Sequence, residues 1–192
     1  MRDSGSERPT ALAILLLGGL VILTGCSAEQ IERPLSLPLD APRIVINKHE
    51  RELLLFDATE EVRRYRMRLG RSPRGDKEVE GDGRTPEGQF YITLKNRQSS
   101  YHLGLDISYP NAEDAERGIR EGLIDSVDHR AILAAIESGG TPPQKTRLGG
   151  EIVIHGGGAQ SDWTLGCIAL ADDDMTELFS AVKAGTPVEI LP

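Results

Sequence analysis

The sequence has 192 residues, of which 39% are hydrophobic and 27% are charged, as is typical of a folded globular protein rather than a disordered or fibrous one. Its formal net charge at pH 7 is -8. Because a nucleic-acid-binding surface needs an excess of Lys and Arg to neutralise phosphates, this charge argues against a nucleic-acid partner.

The N-terminal residues have the layout of a secretion signal. Arg2 and Arg8 precede the uncharged run "ALAILLLGGLVIL", which small residues and Cys26 follow. This run is shorter than the about 20 apolar residues that a transmembrane helix needs. The tetrapeptide "LTGC" resembles the lipobox of bacterial lipoproteins, in which the cysteine becomes the lipidated N-terminus. We therefore predict a signal peptide over residues 1–25 and attachment to a membrane through a lipid on Cys26.

The residues after Cys26 predict a tether and a location. Residues 26–42 contain three prolines and no apolar period, which predicts an extended tether before a domain over residues 43–192. Ser27, rather than Asp, follows the lipidated position. This resembles lipoproteins that face the periplasm and are sent to the outer membrane, provided that the host has two membranes.

Short apolar or alternating segments predict that the domain is built on a sheet. "RYRMRL" alternates strictly, with Tyr65, Met67 and Leu69 on one face and three arginines on the other. The other strand candidates are "RIVIN", "ELLLFD", "QFYITL", "HLGLDISY", "EIVIHG", "GCIAL" and "PVEIL".

Helical spacing appears in two places. Residues 111–140 predict a pair of helices, and "DDDMTELFSAVKAG" (172–185) predicts a helix with acids at its start and Gly185 at its stop. The acids Asp172, Asp173 and Asp174 are interpreted as helix caps rather than as metal ligands. No group of His, Cys and Asp has the spacing of a zinc site, so we predict no metal.

The two cysteines of the chain have different predicted fates. If Cys26 is acylated, Cys167 has no intramolecular partner, which indicates a reactive or intermolecular thiol or an inert buried one. His155 lies upstream, and each residue sits at the end of a predicted strand. A neighbouring imidazole takes a thiol proton and stabilises the anion, as nucleophilic acyl transfer requires.

Glycines surround the thiol and the imidazole. Gly156 and its two neighbours let the backbone turn sharply, and Gly166 does so directly before the thiol. The backbone N–H groups of Gly166 and Cys167 are candidates for the donors that stabilise an oxyanion.

"IHG", a short gap and "TLGC" together resemble the signature of the L,D-transpeptidase catalytic-domain family. "GDGRTPEGQFYI" is similar to an early strand motif of that family, and "YHLGLDISYPNAED" with "DWTLGCIAL" to its periplasmic subgroup with a helical insertion. The resemblance covers residues 43–192. It implies a mainly β or α+β, β-sandwich-like domain with a helical insertion and a C-terminal helix. It also implies an enzyme that acts on peptidoglycan stem peptides without a cofactor.

The resemblance assigns roles to individual positions. Cys167 matches the nucleophile, His155 matches the general base, and Thr164 matches a hydroxyl residue three positions before the cysteine. Two positions depart from the family pattern, because Ala169 stands where many members have Arg and Leu165 where many have His.

Two further residues are candidates for substrate contact. The resemblance places His102 near the substrate groove, although its neighbours alternate as in a strand and a structural role is an equal alternative. Trp163 is interpreted as a stacking surface for a sugar or peptide stem, or as a packing residue beneath the active loop.

The leading hypothesis is that Cys167 attacks the carbonyl after the third residue of a stem peptide and passes the acyl group to an amine. Two alternatives stay open. With water as the acceptor, the enzyme would be a peptidoglycan amidase or carboxypeptidase, a reading motivated by Ala169 and by the helical-insertion subgroup. A non-catalytic lipoprotein that binds the cell wall would need neither the thiol nor the imidazole. The sequence leaves the oligomeric state open.

Overall fold

The structure is a computed structural model that describes Met1 and residues 34–192. The predicted signal peptide, Cys26 and the first part of the tether lie outside these residues. Residues 34–192 form one unit. Leu35 and Leu39, within the predicted tether, pack against its core. The described end of that segment is therefore part of the folded domain, because its two leucines find apolar partners there.

Eight strands and three helices make up the domain. In chain order they are β1 (Pro42–Asn47), β2 (Glu52–Asp57), β3 (Glu60–Arg66), β4 (Gly88–Asn96), β5 (Gly104–Ile107), α1 (Ala112–Arg120), α2 (Ser126–Glu137), β6 (Val153–His155), β7 (Ile168–Ala169), α3 (Asp172–Ala181) and β8 (Pro187–Leu191). The mainly β, α+β fold class is thus confirmed, with α1 and α2 inserted between two strands.

The strands form one sheet whose two edges meet. Their order is β3-β2-β1-β8-β4-β5-β6-β7. The chain beyond β3 reaches the opposite edge, where Arg68 pairs with Ala169 and Gly70 pairs with Thr164. Both backbone hydrogen bonds between Arg68 and Ala169 are formed, at 2.9 and 2.8 Å. The sheet therefore curls round on itself and brings residues 68–71 against the loop that precedes β7.

The core lies inside this curled sheet, and the alternation in "RYRMRL" sets one of its walls. Tyr65, Met67 and Leu69 are buried as predicted, and α3 adds Met175 and Leu178 to the same cluster. Arg64 and Arg66 on the opposite face of β3 are exposed. The predicted division between an apolar and an arginine face is confirmed.

The helices match the predicted segments but not all of the predicted ends. The turn between α1 and α2 contains Gly122, whose φ is +69°. Helix α3 ends at Ala181, before the predicted stop, because Val182 is extended and Gly185 belongs to a later turn. In Met1 and residues 34–192, no helix is long and apolar enough to cross a bilayer.

The interpretation of the three acids as caps is corrected at Asp172. The N-cap position of α3 is Ala171, and no side chain caps the helix there. The Asp172 carboxylate turns instead to the neighbouring loop, where its Oδ1 accepts a hydrogen bond from Gly157 N–H at 2.7 Å. Acids at a helix start remain favourable for the helix dipole, but this one has a second contact.

Candidate active site

The pairing of β6 with β7 brings His155 and Cys167 to one side of the sheet. The two strands are parallel, with His155 opposite Ala169. Cys167 lies two residues before Ala169. Since side chains two residues apart in extended chain point the same way, Cys167 and His155 share a face. The intervening loop, residues 156–166, leaves the sheet and returns to it.

Both side chains line one cavity of about 360 Å³. Trp163 and Thr164 from the intervening loop and Tyr101 from the segment before β5 also line it. The Cys167 thiol is half-buried. The structure therefore brings together a nucleophilic group, a basic group and an accessible space beside them.

The hydrogen bond of His155 fixes its tautomer. The side chain is buried, and Nδ1 lies 2.6 Å from the carbonyl oxygen of Gly156. A carbonyl only accepts, so Nδ1 carries the hydrogen and Nε2 of the neutral ring keeps a lone pair. Burial lowers the pKa of His155, an effect that the hydrogen bond to Gly156 opposes. The imidazole is thus neutral near pH 7 and able to accept a proton.

Two aromatic rings hold the imidazole in place. The Tyr101 ring stacks on His155 with a centroid separation of 4.8 Å and an interplanar angle of 27°. Trp163 meets both rings edge-on, at 5.4 Å from Tyr101 and 5.6 Å from His155. Its Nε1–H also donates to Gly158 O at 3.3 Å. Trp163 therefore both lines the cavity and packs beneath the loop.

The surroundings of Cys167 favour a protonated thiol. Burial raises the pKa of the Cys167 thiol, and a hydrogen bond from Val153 N–H opposes that shift. The Sγ–H group donates to Glu151 O at 3.5 Å. The lowered pKa of His155 and the raised pKa of Cys167 both favour the neutral imidazole and the protonated thiol before a substrate binds.

Thr164 and Gly166 form a tight turn before the nucleophile. The Thr164 hydroxyl donates to Cys167 O at 2.7 Å and accepts from Gly166 N–H at 3.1 Å. The Gly166 amide is therefore engaged within the turn, and its assignment as an oxyanion donor stays a prediction. Gly156 contacts the imidazole instead, because its carbonyl oxygen accepts from His155 Nδ1–H.

His102 lies behind the site rather than in the cavity. Its Nε2 is 2.8 Å from Thr176 Oγ1 on α3. Because that hydroxyl donates to Asp172 O, His102 Nε2–H is the donor to Thr176. The groove-facing residue is the preceding Tyr101, which sequence reasoning missed. The φ of His102 is +70°, and β5 begins only at Gly104, so strand alternation gave no guide here.

Charged side chains that sequence reasoning also missed line the cavity. Lys77 is bound to Asp82 at 2.9 Å, whereas Arg71 has no ion-pair partner among residues 34–192. Glu80 and Glu151 supply negative charge. Arg71 is brought in by the contact between the two sheet edges, a long-range feature without a local signal. In the described part of the chain, no group of three or more His, Cys, Asp or Glu side chains is arranged to hold a metal ion.

Comparisons with known proteins give one family and a shared fold. The model of the L,D-transpeptidase catalytic domain matches residues 41–190. A variant of the helical cell shape determining protein Pgp2 from Campylobacter jejuni is 22% identical, with a TM-score of 0.54, over 83% of this chain and 50% of that one. Bd1075 from Bdellovibrio bacteriovorus is 20% identical, with a TM-score of 0.50, over 80% of this chain and 48% of that one.

Because both solved proteins are less than 25% identical to this chain, their similarity shows a shared fold only. The chain spans about half the length of the two solved proteins. No curated protein matches the sequence significantly.

Proposed function

Because the chain belongs to the L,D-transpeptidase catalytic-domain family, we propose that it catalyses cysteine-dependent acyl transfer on peptidoglycan stem peptides, the substrates of that family. The observation that carries the proposal is the shared cavity of Cys167 and His155. Within it, the Nδ1–H of His155 is committed to Gly156 O, and Nε2 is left as the base.

The first half-reaction forms a thioester. Cys167 Sγ attacks the carbonyl carbon after the third residue of the stem, and its proton passes to His155 Nε2. The resulting oxyanion is expected to accept a hydrogen bond from Cys167 N–H, since Gly166 N–H is already bound to the Thr164 hydroxyl. As the intermediate collapses, the bond to the terminal D-amino acid breaks. The imidazolium gives its proton to the departing amine, and the acyl group stays on Sγ.

The second half-reaction releases the acyl group. An acceptor amine attacks the thioester carbonyl, loses a proton to His155 Nε2 and forms a new peptide bond, while Sγ leaves and is reprotonated. With water as the acceptor, the same steps give a carboxylate, as in an amidase or carboxypeptidase. Ala169 motivates this alternative, because it is fully buried and brings no charged group to the cavity where many relatives have Arg.

Product analysis on purified muropeptides tests the proposal. The wild-type protein is expected to release the terminal D-amino acid, and Cys167→Ala is expected to release none. Ser161→Ala is the matched control, since it lies in the same loop but outside the cavity. New cross-links detected by mass spectrometry mean transfer, and shortened or released stems without new bonds mean hydrolysis. Full turnover by Cys167→Ala would disprove the mechanism.

A non-catalytic wall-binding lipoprotein is the alternative from another class. It predicts that electrophiles leave Cys167 unmodified and that His155→Ala keeps all function. Binding of muropeptides without any product, together with an unlabelled thiol, would support it over the enzyme.

Lipid anchoring at Cys26 is part of the same proposal. It rests on the "LTGC" sequence after an apolar run and on Ser27 for outer-membrane sorting. Cys26→Ser is expected to move the protein from the membrane to the soluble fraction with its activity retained, whereas Cys167→Ser should leave fractionation unchanged. A Cys26→Ser protein that stays in the membrane fraction would count against the anchor.

A further inference from the structure

The carboxylate of Asp172 contacts the loop directly after His155. Its Oδ1 accepts from Gly157 N–H at 2.7 Å. On the other side of the same loop, Gly156 O accepts from His155 Nδ1–H at 2.6 Å. The carbonyl of Gly156 and the N–H of Gly157 belong to one planar peptide group. Asp172 and His155 are therefore hydrogen-bonded to opposite ends of a single rigid unit.

We propose that Asp172 is a positioning residue that holds His155 in its working tautomer through the Gly156–Gly157 peptide group. This inference rests on the proposed function, in which Nε2 of His155 is the base. Asp172 touches neither Cys167 nor the cavity, so its effect on the thiol passes through the peptide group and the imidazole.

The hydrogen bond between Asp172 and the loop requires glycine at positions 156 and 157. A Cβ at Gly156 would lie 2.5 Å from Asp172 Oδ1, and Gly157 has a φ of +95°. A side chain at the first position would separate the carboxylate from the loop, and one at the second would strain the backbone. The glycines after His155 thus bring the peptide group within reach of α3.

Two physical effects link the carboxylate to the imidazole. A peptide group whose N–H is bound by an acceptor is restricted in rotation, so its carbonyl stays aimed at Nδ1. Hydrogen bonds in a chain also polarise one another, which makes Gly156 O a better acceptor. Both favour the Nδ1–H tautomer and leave Nε2 free to accept the thiol proton. Without Asp172, the ring is expected to populate the other tautomer, in which Nε2 already carries a hydrogen.

The test uses acylation of Cys167 by a carbapenem in the full-length protein, followed as added mass. Asp172→Ala is expected to acylate about tenfold more slowly, the effect of losing one hydrogen bond to a charged group. Asp172→Asn keeps an oxygen acceptor and is expected to stay within about twofold of wild type. Asp173→Ala is the matched control, because Asp173 is also an exposed acid in the first turn of α3 and should leave the rate unchanged.

A second measurement reads the tautomer itself. Nitrogen-15 NMR of the wild-type histidines is expected to show His155 protonated at Nδ1, and Asp172→Ala is expected to show a mixture. Protonation at Nε2 in the wild type would overturn the proposal even if Asp172→Ala failed to fold. Equal acylation rates in Asp172→Ala and Asp173→Ala would also overturn it, as would Asp172→Asn as slow as Asp172→Ala.

The proposed function fails in a different way. If wild-type Cys167 is not acylated, or if His155→Ala is acylated as fast as wild type, the enzyme mechanism is wrong whatever Asp172 does. If the acylation depends on His155 but not on Asp172, only the positioning role is overturned.

Discussion

The Thr164 hydroxyl donates to the carbonyl oxygen of Cys167 at 2.7 Å. The hydroxyl oxygen of Thr164 also accepts from Gly166 N–H at 3.1 Å, so one side chain closes the turn that presents the thiol. Thr164 is buried, and water does not replace these bonds readily. The family's hydroxyl position therefore has a structural explanation in this protein, since the hydroxyl orients the backbone on both sides of the nucleophile.

Replacing Thr164 with Val is expected to lower the free energy of unfolding by about 2 kcal/mol, the typical cost of leaving buried polar groups without partners. Turnover should fall as well, because the Cys167 backbone loses its anchor. Thr164→Ser keeps the hydroxyl and is the control. Thermal unfolding and D-amino-acid release measure the two effects. A Val variant with the melting temperature and turnover of the Ser variant would contradict this account.

Gly166→Ala is expected to disrupt the nucleophile more than Gly158→Ala in the same loop. Gly166 has a φ of +134°, and a Cβ there would lie 2.7 Å from the carbonyl oxygen of Arg84. Gly158 also has a positive φ, +103°, but a Cβ there would meet nothing within 4 Å. Gly158→Ala thus carries backbone strain of about 1–3 kcal/mol without the clash. We expect only Gly166→Ala to lose most acylation of Cys167, and equal losses in both variants would contradict the steric argument.

Arg71 is expected to contribute to substrate binding rather than to the chemical step. It lines the cavity without an ion-pair partner among residues 34–192, so its charge is available to a carboxylate of the stem peptide. Arg71→Gln should raise KM about tenfold, the value of a hydrogen bond to a charged group, with a smaller change in kcat. Arg74→Gln is the control, because Arg74 is exposed nearby but lines a different cavity.

A substrate variant identifies the carboxylate that Arg71 binds. The wild type should bind a stem with an amidated C-terminal carboxylate more weakly than the unmodified stem. Arg71→Gln should bind the two stems equally, because it has already lost the contact with that carboxylate. A KM that Arg71→Gln leaves unchanged would show that Arg71 does not contribute to substrate binding. If amidation of the stem weakened binding to Arg71→Gln as much as to the wild type, Arg71 would not be the partner of that carboxylate.

Much of the fold and the central pair could be predicted because their signals are local. The alternation through Tyr65, Met67 and Leu69 states which face of β3 is buried, and the structure agrees. The glycines around His155 and Cys167 reveal a turn and a close approach without any knowledge of the neighbours. Such patterns need only a few consecutive residues to be read.

The rest depends on contacts between distant parts of the chain. Lys48 directly follows the predicted strand "RIVIN", yet it is buried, and its Nζ contacts Gly75 O, Thr85 O and Glu87 at 2.6 to 2.8 Å. Nothing near Lys48 in the sequence indicates these partners. Asp172 at the start of α3 gives the same lesson, because the sequence suggests a helix cap while its contact with Gly157 arises from the packing of helix against loop.

Alkylation of Cys167 and turnover are expected to depend differently on pH. Turnover requires a neutral imidazole, so it should rise with pH through the pKa of His155, which burial places below the ordinary value of 6.5. It should therefore be near its plateau at pH 7. Simple alkylation by iodoacetamide follows the thiolate, and burial raises the pKa of Cys167 above the ordinary 9.0. Alkylation should thus keep rising well into the alkaline range.

Rates of alkylation and of D-amino-acid release, each measured from pH 5 to 10, check this separation. In His155→Ala, D-amino-acid release near neutral pH is expected to slow strongly, because no imidazole accepts the proton as the sulfur attacks. Alkylation should still follow the thiolate, and the acidic limb attributed to His155 should disappear from any residual turnover. An alkylation midpoint below pH 7 in the wild type would instead show a preformed thiolate–imidazolium pair, whose apparent pKa values belong to the two groups together. In that case the neutral resting pair inferred from the burial of both side chains would be wrong.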